Sequence, residues 1–217
     1  MTAAYDEIAD WYEERFGGGE DPLGLHAALG ELLGTGSGPC LEIGCGTGHN
    51  AGTVADLGWT PVGVDISARM LGHARGRLPV ARGDAALVPV RSGAVSAVVT
   101  VMAHTDMSDF FAVLRQIERV LAPGGVYAHV GVHPCFVGGF ADHSDPAAVV
   151  VRGGYRETHW TKESWTDQGL RDKVGAVHVP LAGLLNGVVA VGMGLERFVE
   201  GGEPVPGMLG ILARKPG

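Results

Sequence analysis

The run Cys40-Leu41-Glu42-Ile43-Gly44-Cys45-Gly46-Thr47-Gly48-His49 holds residues that can cradle a nucleotide. A short apolar stretch breaks into glycines and then opens into helix-forming sequence. Glycine has no Cβ, so the backbone can turn sharply and a ligand can lie against the peptide plane. Strand, glycine turn and helix N-terminus together form a corner at which nucleotides bind. The spacing is Gly-x-Gly-x-Gly, with His49 where a dinucleotide fingerprint has its third glycine. Asp65 follows at the expected end of a second strand. A carboxylate there can accept charge-assisted hydrogen bonds from vicinal ribose hydroxyls, or cap a helix beginning near Ser67. Glu42 is an acid inside an apolar strand, and a buried charge needs a partner. For proton transfer the chain offers His104 and His133, each after an apolar run, with Asp142 and His143 beyond. The ordinary pKa of imidazole suits a general base.

With Glu42 just ahead of its glycines, the run resembles motif I of the class I S-adenosylmethionine-dependent methyltransferases. Four further stretches resemble the same family in the same order. Val62–Ser67 looks like the second strand, ending in the ribose acid Asp65 and followed by Ile66. Arg82-Gly83-Asp84-Ala85 looks like the end of the third strand, where an acid meets the adenine amino group. Val98–His104 looks like the fourth strand entering the active site. Leu121–Val126 looks like the turn before the fifth. The resemblance covers roughly residues 38 to 132 and thins beyond. It implies S-adenosyl-L-methionine as cofactor, held by Tyr5, Tyr12, Glu42, Gly44, Cys45, Gly46, Gly48, Asp65, Ile66, Met70, Asp84, Ala85 and Met102. It implies that Glu42 helps hold the methionine amino group, directly or through water, and it makes His104, after the fourth strand where acceptor-facing residues fall, the first candidate for a catalytic base, with His133 the next. Tyr5, Trp11 and Tyr12 are similar to an N-terminal Tyr-x-x-x-Ala-x-x-Tyr segment that folds over the cofactor in small-molecule methyltransferases.

These residues need elements to position them. Tyr5, Ile8, Trp11, Tyr12 and Phe16 recur at three- and four-residue steps, one face of a helix over 4–16 that Gly17-Gly18-Gly19 ends. A second helix is expected from Pro22 to Leu33. Strands follow near 39–44, 61–65, 79–82, 95–101 and 125–132, alternating with helices near 47–57, 67–76 and 108–121. That alternation predicts a mostly parallel sheet covered by helices. Residues 133–148 read as a long loop. Two short strands at 154–160 and 173–179 suggest a hairpin-like insertion whose Tyr155, Trp160 and Trp165 roof an acceptor pocket. Pro180 opens a helix to about Met193. Strands at 195–200 and 208–213 form the closing antiparallel pair.

Composition narrows the classes. The chain has 217 residues with 46% hydrophobic content, enough for one substantial core. Its net charge of −8, with no Lys/Arg cluster, argues against a nucleic-acid partner. Cys40, Cys45 and Cys135 fit no metal or redox spacing, so no metal is expected. No apolar secretory segment stands at the N-terminus, and Leu181–Leu195 is too short to span a bilayer, so a soluble cytoplasmic protein is expected.

The sequence therefore predicts an α/β fold: a Rossmann-like three-layer sandwich on a mostly parallel seven-stranded sheet with a C-terminal antiparallel hairpin. One methyltransferase domain spans 1–217, with an N-terminal helical lid at 1–35 and an acceptor-side insertion at 133–180. The expected activity is methyl transfer to an O or N atom of a small metabolite or natural product, by a monomer or homodimer that binds neither nucleic acid nor membrane. Two alternatives stay open. One is a protein that binds S-adenosylmethionine without transferring methyl. The other is an NAD-dependent oxidoreductase, against which His49 and the terminal hairpin both argue.

Overall fold

The computed structural model describes residues 3–19, 21, 23–145, 147–163 and 169–217. Pro22 and Trp165, named above, lie outside them. The elements in chain order are α1 (Ala9–Phe16), α2 (Leu25–Leu33), β1 (Pro39–Ile43), α3 (Ala51–Asp56), β2 (Thr60–Asp65), α4 (Ala68–Ala74), β3 (Val80–Arg82) and β4 (Val95–Val101). Then come α5 (Phe110–Val120), β5 (Leu121–Val132), β6 (Ala141–Asp142), β7 (Val150–Val151), β8 (His159–Thr161), α6 (Leu170–Val174), β9 (Ala176–His178), α7 (Leu181–Ala190), β10 (Gly194–Gly201) and β11 (Met208–Arg214). Seven strands form one sheet in the order β10-β11-β5-β4-β1-β2-β3. The five from β3 to β5 run parallel. β11 lies antiparallel to β5, and β10 antiparallel to β11.

The period-two pattern sorts the inner strands onto two apolar faces. Leu41, Ile43 and Val98 pack with α5 and α7, while Cys40, Ala97, Val99 and Val101 pack with α2 and α3. This is the three-layer sandwich that the alternation predicts. α5 shows why such helices form. Asp109 Oδ1 accepts the Ala112 N–H at 2.8 Å, and Phe110, Val113, Leu114, Ile117 and Val120 make one buried stripe. Strand order reverses between β1 and β4, which opens a crevice at their carboxyl ends.

The expected elements differ from the structure in several places. The N-terminal helix is interrupted: Ala4–Glu7 is a 3-10 turn and the α-helix starts after Ile8, whose φ of −120° leaves the helical region. The strand expected over 154–160 is only β8, because residues 153–156 turn. It does pair antiparallel with β9, and α6 takes up residues 173–174 of the strand expected over 173–179, which is reduced to β9. The loop after β5 holds the short β6–β7 pair. No helix among the described residues is long and apolar enough to cross a membrane.

Candidate active site

The glycine run leaves β1 at the crevice. Gly44, Gly46 and Gly48 all adopt positive φ, 74°, 52° and 78°. At Gly44 a Cβ would also stand 2.8 Å from the Ala103 Cβ, so glycine is required on two counts. Asp65 ties this turn to β2: its Oδ2 accepts the Gly46 N–H at 2.9 Å and its Oδ1 the Ser67 N–H at 2.8 Å. Burial raises the Asp65 pKa, while those amide donors pull it back. Asp84 Oδ1 accepts the Ala86 N–H and holds the turn after β3.

These corners open into one cavity of about 430 Å³. Its floor takes in Gly44, Gly46, Asp65, Ile66, Met70, Asp84, Ala85 and Met102, and its roof Tyr5, Tyr12 and Trp160. Cys45 and Gly48, expected on the cofactor, do not line it. The Cys45 Sγ packs where a Gly63 side chain would stand, and a Cβ on Gly48 would lie 2.6 Å from Leu78 Cδ2, so both serve the turn from beneath. Glu42 is also below the floor, 2% exposed. Its Oε1 accepts from Asn50 Nδ2 at 2.7 Å, its Oε2 has no partner among the described residues, and burial pushes its pKa up to about 7.

The N-terminal segment is fastened over the glycine turn by a row of acids. Asp6 accepts from Ser67 Oγ and the Arg69 N–H at 2.6 and 3.1 Å. Asp10 meets Arg69 and His73, and Glu13 meets Arg77 and His49. His49 is therefore a partner of the overlying helix. Trp11, expected with Tyr5 and Tyr12, turns away to Phe16 and lies under the Lys173 ammonium.

The two histidines expected as bases do not face the cavity. The chain leaves β4 through Met102, which holds a φ of 51°, and enters a 3-10 turn at His104–Asp106. At three residues per turn, His104 and Asp106 project in different directions. His104 points into the core, 2% exposed, against Phe110 and His129, and burial holds its pKa well below 6.5. His133 stacks on Phe136, its Nε2 donates to Glu200 at 2.9 Å, and its Nδ1 accepts the Cys135 N–H. Neither imidazole lines the cavity.

A further acid of this 3-10 turn that lines the cavity is Asp106, which the spacing of the motifs does not single out. Its Oδ1 accepts from Tyr5 Oη at 3.1 Å and from the Arg171 guanidinium at 2.5 Å, and Arg171 also donates to the Gly175 carbonyl. Burial raises the Asp106 pKa against the pull of Arg171 and Tyr5. The available signal was an acid standing between apolar Ala103 and Met107 just after the fourth strand. Arg171, 65 residues away, gave no local signal.

Comparison with known proteins agrees with this geometry. Residues 40–125 match the family model described as a methyltransferase domain. A probable S-adenosylmethionine-dependent methyltransferase of Mycolicibacterium smegmatis is 32% identical over 90 residues, 40% of this chain and 35% of that one. A demethylmenaquinone methyltransferase of Beutenbergia cavernae is 29% identical over 131 residues, 58% of this chain and 55% of the relative. The chain spans about a third to a half of the length of these curated relatives. Among solved structures, an S-adenosylmethionine-dependent methyltransferase from Mesorhizobium loti superposes with a TM-score of 0.72 at 20% identity, covering 87% of this chain and 96% of that one. The (4+2)-cyclase SpnF superposes with a TM-score of 0.70 at 17% identity, covering 98% and 94%. Residues 40–125 are thus similar to a methyltransferase domain family, and the chain has the fold of S-adenosylmethionine-dependent methyltransferases.

The residues present fit S-adenosylmethionine. Asp65 stands where a ribose is expected and Asp84 beside the expected adenine. Beneath the glycine turn, Glu42 keeps a buried Oε2 with no partner among the described residues, the kind of orphaned acceptor that an ammonium group of the cofactor would satisfy.

Proposed function

We propose that this protein transfers the methyl group of S-adenosylmethionine to an oxygen or nitrogen of a small molecule seated under Tyr5, Tyr12 and Trp160. The observation that carries the reading is the continuous cavity from the glycine corner to that aromatic roof. A volume of about 430 Å³ lies in the range of small-molecule sites. When bound, S-adenosylmethionine supplies a methyl carbon already activated by its sulfonium, so the protein's task is alignment and exclusion of water. On this reading Asp65 and Asp84 hold the adenosyl portion, and Glu42 neutralises the ammonium. The start of the expected 1–35 lid covers the cavity through Tyr5 and Tyr12, whereas α2 packs in the core against the sheet; from the expected 133–180 insertion, β8, β9 and Trp160 supply the acceptor-facing wall.

The test is thermal unfolding with S-adenosylhomocysteine or NAD(H), followed by a screen for S-adenosylhomocysteine release with candidate acceptors. A ligand at a hundred times its Kd adds roughly 2.7 kcal/mol, or about 5–10 °C for a chain of this size. A shift with the adenosyl ligand and release with an acceptor support transfer. A shift with no release from any acceptor supports binding without transfer, and SpnF, named a cyclase, shares the fold. A shift with NAD(H) alone refutes both.

A further inference from the structure

The cavity lining is acidic. Asp65, Asp84, Asp106 and Asp109 line it, and no Lys, Arg or His does among the described residues. Asp65 and Asp84 belong to the adenosyl end, and Asp109 caps α5 through Ala112. That leaves Asp106 for the acceptor. Arg171 and Tyr5 both bind its Oδ1, which orients the carboxylate and leaves Oδ2 without a hydrogen bond among the described residues. Arg171 is not a receptor for an anionic acceptor, since it is 9% exposed and points at Asp106 and the Gly175 carbonyl. Tyr5, Tyr12 and Trp160 add π faces, which attract cations. A carboxylate or phosphate ester would find no cationic side chain in this lining, the Arg171 guanidinium being spent on Asp106 and the Gly175 carbonyl, whereas an ammonium finds a carboxylate oxygen beside aromatic rings.

We propose that the methyl acceptor is an amine, whose protonated nitrogen is anchored by Asp106 and deprotonated by it. This rests on the transfer reading above. The ammonium N–H donates to Asp106 Oδ2, and passage of that proton leaves a neutral amine and a carboxylic acid. The freed nitrogen lone pair forms the bond to the methyl carbon, with the carbon–sulfur electron pair passing to sulfur. The product is a methylated ammonium beside a neutral thioether, and Asp106 returns its proton to water. The raised pKa of Asp106 suits it to hold that proton during the reaction.

The test uses the full chain saturated with S-adenosylhomocysteine and three probes with the same ring: benzylamine, benzyl alcohol and benzoate, titrated by ligand-observed NMR. Benzylamine should bind and the other two should not. Asp106→Asn should weaken benzylamine by roughly tenfold or more while S-adenosylhomocysteine affinity stays within about twofold of wild type. Equal binding of benzoate or benzyl alcohol, no benzylamine binding, or undiminished binding in Asp106→Asn would each overturn the proposal. The wild-type comparison of probes decides the matter even if the variant does not fold. Failure of S-adenosylhomocysteine itself to bind would instead strike the transfer reading.

Discussion

Replacing Glu42 by Gln separates the stability of this fold from its ligand affinity. The carboxyl is buried beneath the glycine turn, bonded to Asn50 on one oxygen and to nothing among the described residues on the other. Burial holds it near 7, against an ordinary 4.5. The folded state therefore keeps its proton where the unfolded chain has lost it, so stability falls as pH rises from about 4.5 to 7. At ~1.4 kcal/mol per pKa unit, wild type should lose on the order of 2–3 kcal/mol from this one group between pH 5 and pH 8. Glu42→Gln should lack that loss, while its new amide donor carries a cost of about 1–3 kcal/mol that is equal at both pH values. With S-adenosylhomocysteine the order reverses, because an ammonium facing a buried carboxylate gains about 1.5–3 kcal/mol that the amide cannot supply. Affinity should fall roughly tenfold to a hundredfold. Urea melts at pH 5 and 8, with and without ligand, read all four quantities. An unchanged pH slope together with unchanged affinity would refute the assignment of Glu42.

Three further outcomes are expected. Asp65→Ala should lose the thermal shift with S-adenosylhomocysteine and lower stability by about 1–3 kcal/mol, since the Gly46 and Ser67 amides lose their acceptor; calorimetric titration and melting check both. His104→Leu removes a buried Nδ1 that has no partner, so stability should hold within about 1.5 kcal/mol and the pH profile of turnover should not move; loss of the alkaline or acid limb would return His104 to the chemistry. Glu13 is held near 2 by the Arg77 guanidinium; a lowered carboxyl contributes stability above its unfolded value of about 4.5 and loses it as pH falls toward 2. Glu13→Gln should therefore weaken the fastening of α1 above pH 5, seen as faster hydrogen exchange in residues 9–16 and lower cofactor affinity, and should make little difference at pH 3.

The parts of this molecule legible in the sequence are those written in short-range pattern. The glycine turn announces itself because positive φ at three alternate residues admits little else. The α5 stripe, the Asp109 cap and the period-two strands follow the same logic. The rest depends on contacts between distant segments. Ile8 breaks the N-terminal helix although its face is continuous, because Asp6 must reach the start of α4. His104 and His133 have the residue type of a base, but burial is a property of the whole fold. Nothing near Asp106 in the chain points to Arg171.

Tyr5, Asp106 and Arg171 also have a consequence for how the molecule assembles. One carboxylate oxygen joins partners 101 and 65 residues away along the chain, so this junction closes two long loops at once. Loop-closure entropy grows with separation, and contacts of that span are late to be rewarded during folding. Neither the N-terminal segment nor α6 is held here by its chain neighbours, so both depend on this one carboxylate. A change at Asp106 should therefore loosen both covering segments together rather than one of them.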